Sequence, residues 1–127
     1  MTRKVILNVE DNEANRKIVR YLFTSKGYKV IEAMDGEEGV RMAEQERPDI
    51  ILMDVQLPKM DGYEATRRIK ANPALREIPI IAVTSFALSG DNVKAMEAGC
   101  DDYIAKPFKP RNLLEKVEKL LGAREVG

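Results

Sequence analysis

The sequence predicts an α/β fold, a doubly wound (βα)5 three-layer sandwich around a parallel five-stranded sheet. Three observations predict it. Short apolar runs alternate five times with amphipathic stretches of helical length over 127 residues, and the links between them are short. The run 50–53 is apolar at every position, as in a strand that is covered on both faces. The last amphipathic stretch repeats its apolar residues at helical spacing, with charged residues opposite them.

Each predicted strand is a short apolar or β-branched run bounded by turn-forming residues. Pro48 and Pro79 lie just before two of these runs, where a missing N–H leaves the central pairing intact. The predicted strands are, in chain order, 5–9, 28–32, 50–53, 80–83 and a short 103–105.

A predicted helix follows each strand. Gly27 comes after the first helix and Gly99 after the fourth, at the helix-ending position that favours positive φ. The predicted helices are 13–25, 37–45, 63–71, 92–98 and 111–121.

Length and composition favour one domain, residues 1–122, with a short C-terminal tail at 123–127. Twenty-one basic residues balance twenty-one acidic ones, so no net charge indicates nucleic-acid binding. The longest apolar runs are far too short for membrane insertion. The lone Cys100 and the lack of an apolar leader after Met1 lead us to expect a cytoplasmic protein.

Polar residues follow four of the five predicted strands. Glu10 and Asp11 follow the first, Asp54 the third, Thr84 the fourth and Lys106 the fifth. The carboxyl ends of parallel strands lie at one edge of a sheet, and ligands bind there near the point where the strand order switches. We therefore expect these side chains to lie close together.

Three clustered carboxylates predict a bound divalent cation. Two charges about 5 Å apart repel by roughly 3 kcal/mol at an effective dielectric constant of about 20. Mg²⁺ would relieve this repulsion, because it accepts oxygen ligands, keeps several waters and bridges to phosphate oxygens. Asp54 is the predicted phosphoryl-accepting nucleophile, while Thr84 offers a hydroxyl and Lys106 a compact cation. Pro107 could place Lys106 inward through a cis bond.

Taken one at a time, these residues have ordinary structural interpretations. An acid at a strand end is typically a helix cap or a loop residue. Thr84 is a strand former, Lys106 a surface lysine, Tyr103 a half-buried strand aromatic and Phe86 a loop hydrophobe. Only their joint occurrence at four strand ends favours a functional site.

Four stretches of the chain resemble the response-regulator receiver family. They read VEDN at 9–12, LMDVQLPKMDG at 52–62, VTSF at 83–86 and GCDDYIAKPF at 99–108. The resemblance extends from residue 4 to about 121. It implies the flavodoxin-like receiver fold with strand order 2-1-3-4-5. Among receivers, the chain resembles the stand-alone, single-domain type, as in DivK-like and chemotaxis-type receivers.

The resemblance also implies a role for each residue at the metal and acceptor site. Asp54 is the phospho-acceptor. Glu10, Asp11 and Asp54 hold Mg²⁺ together with the backbone carbonyl of Gln56, and Lys106 contacts the phosphoryl group.

A second set of roles concerns switching and timing. Thr84 contacts the phosphoryl group and moves with the switch aromatic Tyr103. Gln56 and Phe86, two residues after Asp54 and Thr84, tune the lifetime of the phosphoryl group.

The implied protein is a signalling switch that assists its own Mg²⁺-dependent phosphorylation and dephosphorylation, and not an enzyme acting on other substrates. The chain has no histidine, so a sensor histidine kinase, a histidine phosphotransfer protein or a small phosphodonor must supply the phosphoryl group. A downstream protein would bind the face formed by the fourth helix, fifth strand and fifth helix. We expect a monomer or a phosphorylation-dependent dimer.

Two positions depart from the pattern of the family. Asn8 replaces the apolar residue that is usual before Val9, and a buried amide needs partners or costs a few kcal/mol. Ser85 replaces the usual alanine and is small enough to leave the site open.

Three other classes of protein compete with this interpretation. A haloacid-dehalogenase phosphatase would need a second aspartate where Gln56 stands. A flavodoxin-like cofactor binder needs a glycine- and hydroxyl-rich loop after the first strand, but this loop is acidic. A receiver-like module that only binds proteins would not need the intact set of Asp54, Thr84 and Lys106.

Overall fold

The computed structural model describes residues 3–84 and 91–126, without the side chains of residues 91–92 and 123–126. Strands and helices alternate along the chain. The elements are β1 (Val5–Val9), α1 (Glu13–Thr24), β2 (Lys29–Ala33), α2 (Gly36–Glu46), β3 (Ile50–Asp54), α3 (Gly62–Ala71), β4 (Ile80–Thr84), α4 (Asp91–Ala98), β5 (Asp102–Ala105) and α5 (Pro110–Val126).

The five strands form one parallel sheet in the order β2-β1-β3-β4-β5. The predicted fold class and strand order are therefore confirmed. Every residue of β3 and β4 is buried, because helices cover both faces of the sheet. One apolar cluster contains Met53, Ala65 and Ile69, and the cluster on the other face contains Phe23 and Leu113.

The observed bounds differ from the predicted ones mainly at element ends. Strands β3 and β4 each continue one residue further, through Asp54 and Thr84. The polar side chains mark the edge of the core, but the backbone still pairs, with Asp54 beside Val83 and Thr84 beside Ala105. Helix α5 continues to Val126 and so includes most of the predicted tail. Gly122 has open space around it and does not end the helix.

Side-chain caps fix the start of three helices at the carboxyl edge of the sheet. The Asn12 side chain accepts the Asn15 N–H at 3.0 Å, and Asp35 accepts the Glu38 N–H at 2.8 Å. Asp61 caps α3 in the same way. Each cap occupies the residue before the helix and satisfies an N–H that has no partner within the helix. The loops after β1, β2 and β3 are thus held at both ends. In the part of the chain that the structure describes, no helix has the length and apolar character to cross a membrane.

Candidate functional site

Asp54 ends the central strand, and both of its carboxylate oxygens are engaged. The residue is 3% exposed. Its Oδ1 accepts the backbone N–H of Gln56 at 2.9 Å, and its Oδ2 accepts Lys106 Nζ at 3.0 Å. Burial on β3 fixes the carboxylate at the mouth of the sheet, while the two donors stabilise its charge.

Glu10 follows β1 and is also buried, at 5% exposure. Its Oε1 accepts Lys106 Nζ at 2.7 Å, and its Oε2 accepts the Asn12 N–H at 3.1 Å. The Arg16 guanidinium donates to the Glu10 backbone carbonyl at 3.0 Å. Glu10 is therefore held by contacts from Lys106 just after β5, from its own loop and from α1.

Lys106 bridges the two buried acids. Its side chain is 21% exposed, and its backbone N–H donates to the Thr84 carbonyl at 2.6 Å. The bond to Pro107 is cis, the conformation that the sequence allowed. Burial alone would lower the pKa of Lys106, but the hydrogen bonds that Lys106 donates to Glu10 and Asp54 outweigh this effect, and the pKa is raised above its ordinary value. Lys106 thus stays a cation between two carboxylates.

Asp11 completes an acidic cluster. One carboxylate oxygen from each of Glu10, Asp11 and Asp54 lies within 4.8 Å of the others. Asp11 is exposed, whereas the other two acids are buried. An all-oxygen set of this size, open on the Asp11 side, suits a hard divalent cation such as Mg²⁺. The residues present therefore fit the predicted metal.

The remaining predicted residues have different surroundings. Thr84 is buried at 1% exposure and ends β4 beside the site. Tyr103 lies on β5 with 40% of its surface exposed. Gln56 is exposed and directs its N–H to Asp54. Phe86 lies outside the described residues, and so does Ser85.

Sequence reasoning assigned no role to Gly62, which packs against the acceptor strand. A Cβ at this position would overlap the Asp54 carbonyl oxygen and lie 2.7 Å from the Val55 Cα. The Gly62 N–H donates to the Val55 carbonyl at 3.1 Å. The signal in the sequence is the Asp61-Gly62 pair, a helix cap followed by a residue without a side chain. Glycine here lets α3 start directly against the strand that carries Asp54.

Asn8 lies on β1, two residues before Glu10, and is 3% exposed. Its Nδ2 has no hydrogen-bond partner among the described residues. The sequence left two possibilities for this amide, a bond to a neighbouring loop or a cost in stability. No such bond to Nδ2 is present among those residues.

The chain matches the response regulator receiver domain, whose family model covers residues 6–118. Among curated proteins it is similar to the polar-differentiation response regulator DivK of Brucella anthropi, with 43% identity over 119 residues, 94% of this chain and 97% of the relative. DivK of Brucella ovis is 43% identical over 122 residues, 96% of this chain and 98% of the relative.

Solved structures of receiver domains have the same fold. The receiver domain of a sensor histidine kinase from Pseudomonas aeruginosa PAO1 has a TM-score of 0.89 and 45% identity, covering 95% of this chain and 99% of that one. That structure has a magnesium ion coordinated in its active site cleft. A CheY-like receiver domain protein from Methanospirillum hungatei JF-1 has a TM-score of 0.90 and 33% identity, covering 98% of both chains.

Proposed function

The chain belongs to the response regulator receiver family of two-component signalling, and we propose that it is a single-domain switch controlled by phosphorylation of Asp54. One observation carries this proposal. A buried aspartate at the end of the central strand is held by the Gln56 N–H and by Lys106 within an acidic cluster. This arrangement combines a fixed carboxylate nucleophile, a cation and a set of metal-binding oxygens within one small volume.

In the proposed step, an Asp54 carboxylate oxygen attacks the phosphorus of a phosphohistidine on a sensor histidine kinase or a phosphotransfer protein. The P–N bond breaks as the P–O bond forms, and the histidine nitrogen keeps the electron pair. The phosphorylated histidine lies outside these 127 residues, which contain none. Lys106 would stabilise charge on the transferred oxygens, and the Thr84 hydroxyl would donate to one of them.

Mg²⁺ is the cofactor in this proposal. Glu10, Asp11 and Asp54 would hold it, together with the backbone carbonyl of Gln56. When bound, it neutralises the negative charge that gathers on the phosphoryl group during transfer. Lys106 already pairs with Glu10 and Asp54, so the protein supplies a cation at these acids in the absence of metal.

The output of the proposed switch is a change in partner binding at the face formed by α4, β5 and α5. The hydroxyl of Thr84 would turn toward the phosphoryl group, and Tyr103 would turn inward from its half-exposed position. Val93 and Met96 expose apolar surface on α4, which suits a protein partner. A partner shifts the equilibrium only as far as its affinity differs between the two states.

Gln56 and Phe86 would set the lifetime of the phosphoryl group. The switch would act as a monomer or a phosphorylation-dependent dimer, with residues 1–122 as the receiver. It would work in the cytoplasm, where the lone Cys100 stays reduced.

The test is phosphoryl labelling of the purified chain with acetyl phosphate and Mg²⁺, followed by intact-protein mass spectrometry. We expect one phosphoryl group per chain, none on Asp54→Asn, and none in excess chelator. Asp101→Asn is the matched control, because Asp101 lies at the opposite edge of the sheet and is expected to leave labelling unchanged. Stoichiometric labelling of Asp54→Asn would contradict the assignment of the acceptor. Continued release of phosphate from an unrelated phosphate ester would instead favour a phosphatase.

A further inference from the structure

Arg16 lies in the first turn of α1 and contacts the loop that carries two of the three clustered acids. Its Nη1 donates to the backbone carbonyl of Glu10 at 3.0 Å. Its own backbone N–H donates to the Asn12 carbonyl, also at 3.0 Å. Arg16 therefore holds the residue on each side of Asp11, one through its side chain and the other through its backbone.

The carbonyl that Arg16 holds belongs to the peptide group that joins Glu10 to Asp11. A peptide group is planar, so a carbonyl that is fixed in direction also fixes the N–H of the next residue. On the other side of Glu10, its own N–H donates to the Ala33 carbonyl at 2.9 Å. The backbone is thus held both before and after the Glu10 Cα, at the point where the chain leaves β1.

Of the three clustered acids, Asp11 depends most on its backbone for orientation. Glu10 and Asp54 are buried, and each accepts a hydrogen bond from Lys106. Asp11 is exposed, so burial does not fix the direction of its side chain. Metal ligands are oriented by the groups around them, and the loss of one such group typically lowers metal affinity by about 10–100-fold.

We propose that Arg16 is a positioning residue of the magnesium site, which fixes the peptide group between Glu10 and Asp11 so that both carboxylates face one ion. This inference rests on the proposed function, since it presumes that these acids and Asp54 hold Mg²⁺. Arg16 is not itself a ligand, because a guanidinium group is a cation that donates hydrogen bonds and accepts none. It acts through the loop that it holds.

The charge of Arg16 and its hydrogen bond have opposite effects on Mg²⁺ affinity. The guanidinium group lies 3.0 Å from the Glu10 carbonyl oxygen, so it places a positive charge near a cation site, and like charges repel. If only this charge mattered, removing it would strengthen Mg²⁺ binding. If the hydrogen bond positions the ligands, removing it weakens Mg²⁺ binding. The direction of the change in affinity therefore separates the two roles.

The test is a Mg²⁺ titration of the unphosphorylated, ¹⁵N-labelled full chain at constant ionic strength, followed by NMR through the backbone amides of Asp11 and Asn12. We expect saturable shifts in the wild type and about tenfold weaker binding in Arg16→Met. Arg16→Lys keeps the charge and a donor group, so its affinity should lie between these two. Equal or tighter binding by Arg16→Met, or no recovery in Arg16→Lys, would overturn the inference.

Arg20→Met is the matched control, because it removes the same side chain one turn further along α1. Arg20 donates to the two carboxylate oxygens of Glu32 at 2.8 and 3.1 Å. This variant should bind Mg²⁺ like the wild type, even where urea unfolding in chelator shows that it is less stable. An equal loss of Mg²⁺ affinity in Arg20→Met and Arg16→Met would mean that any damage to α1 has this effect, and would overturn the inference. If the wild type binds no Mg²⁺, the proposed metal site fails and the inference fails with it.

Discussion

The two edges of the sheet each hold a lysine against an aspartate, but the two lysines have different surroundings. At the amino edge, Lys70 Nζ donates to Asp101 Oδ2 at 3.1 Å and to the carbonyls of Arg76 and Ile78. Asp101 Oδ2 also accepts the Ile80 N–H at 2.8 Å. This pair joins α3 to the starts of β4 and β5, and one carboxylate meets one ammonium.

At the carboxyl edge, two carboxylates share the ammonium of Lys106, and a third lies beside them. Glu10 and Asp54 both bind it, and Asp11 lies beside them. The two bound acids are buried, whereas the Asp101 side chain is 40% exposed. A lysine–aspartate pair alone therefore does not distinguish a functional site from a structural contact. What distinguishes the functional site is an excess of negative over positive charge among its clustered groups, because a bound cation would stabilise only such an excess.

Removing each lysine should give the largest contrast between the edges. In chelator, Lys106→Met should lose about 3–5 kcal/mol of unfolding free energy, since it leaves buried carboxylates without their cation. Mg²⁺ should restore part of this loss and should bind the variant more tightly than the wild type. Lys70→Met should lose about 1–2 kcal/mol with no response to Mg²⁺. Urea unfolding measures the loss of unfolding free energy of each variant relative to the wild type, with and without Mg²⁺. Equal Mg²⁺ responses of the two variants would refute the contrast.

Magnesium should stabilise the protein through the carboxyl edge only. At Mg²⁺ concentrations about 100-fold above the Kd, the unfolding free energy should rise by about 2.7 kcal/mol. Glu10→Gln and Asp54→Asn should lose most of this gain, because each removes a charged oxygen ligand. Asp101→Asn should retain it. Thermal melting over a series of Mg²⁺ concentrations tests the prediction, and a full gain in Asp54→Asn would contradict it.

The contrast also shows how much of the site could be predicted from sequence. Polar residues that end apolar runs marked the carboxyl edge, so Glu10, Asp54 and Lys106 could be grouped by their positions along the chain alone. The bridge from Lys106 to Glu10 could not be predicted, because these residues are 96 positions apart and their pairing depends on side-chain packing. The same holds for the Arg16 contact with the Glu10 carbonyl.

Element bounds show a similar limit. Strand pairing continues past the last apolar residue of β3 and β4, since backbone hydrogen bonds do not depend on side-chain polarity. The sequence identified Asn8 as an unusual residue, but it could not predict which groups surround the side-chain amide. That Nδ2 has no partner among the described residues is therefore known only from the structure.

A glycine at each edge allows the same substitution to be compared. Gly62→Ala places a methyl group against the backbone of Asp54 and Val55, which cannot move without moving the acceptor. We expect the unfolding free energy to fall by about 2 kcal/mol and the labelling of Asp54 to be slower.

At the amino edge, Gly99 has φ +108 and its added Cβ would lie 3.0 Å from the flexible Lys70 side chain. Gly99→Ala should cost about 1–2 kcal/mol in backbone strain and leave the labelling rate unchanged. Equal labelling rates in the two variants would argue against a positioning role for Gly62.

The smallest predicted effect concerns Asp35, an acid at the carboxyl edge that does not belong to the cluster. Its carboxylate caps α2, and the hydrogen bond from the Glu38 N–H lowers its pKa below the ordinary value of 3.8, with Lys59 nearby adding to the effect. Since the folded pKa is lowered, the stabilisation is complete above the unfolded pKa and is lost as the pH falls through the folded one.

Asp35→Asn keeps a capping oxygen, so it should cost only about 0.3–1 kcal/mol at neutral pH. Urea unfolding should show this difference vanishing under strongly acidic conditions and unaffected by Mg²⁺ at neutral pH. A difference that stays constant with pH would mean that the charge of Asp35 contributes nothing, and a response to Mg²⁺ would place Asp35 in the metal cluster.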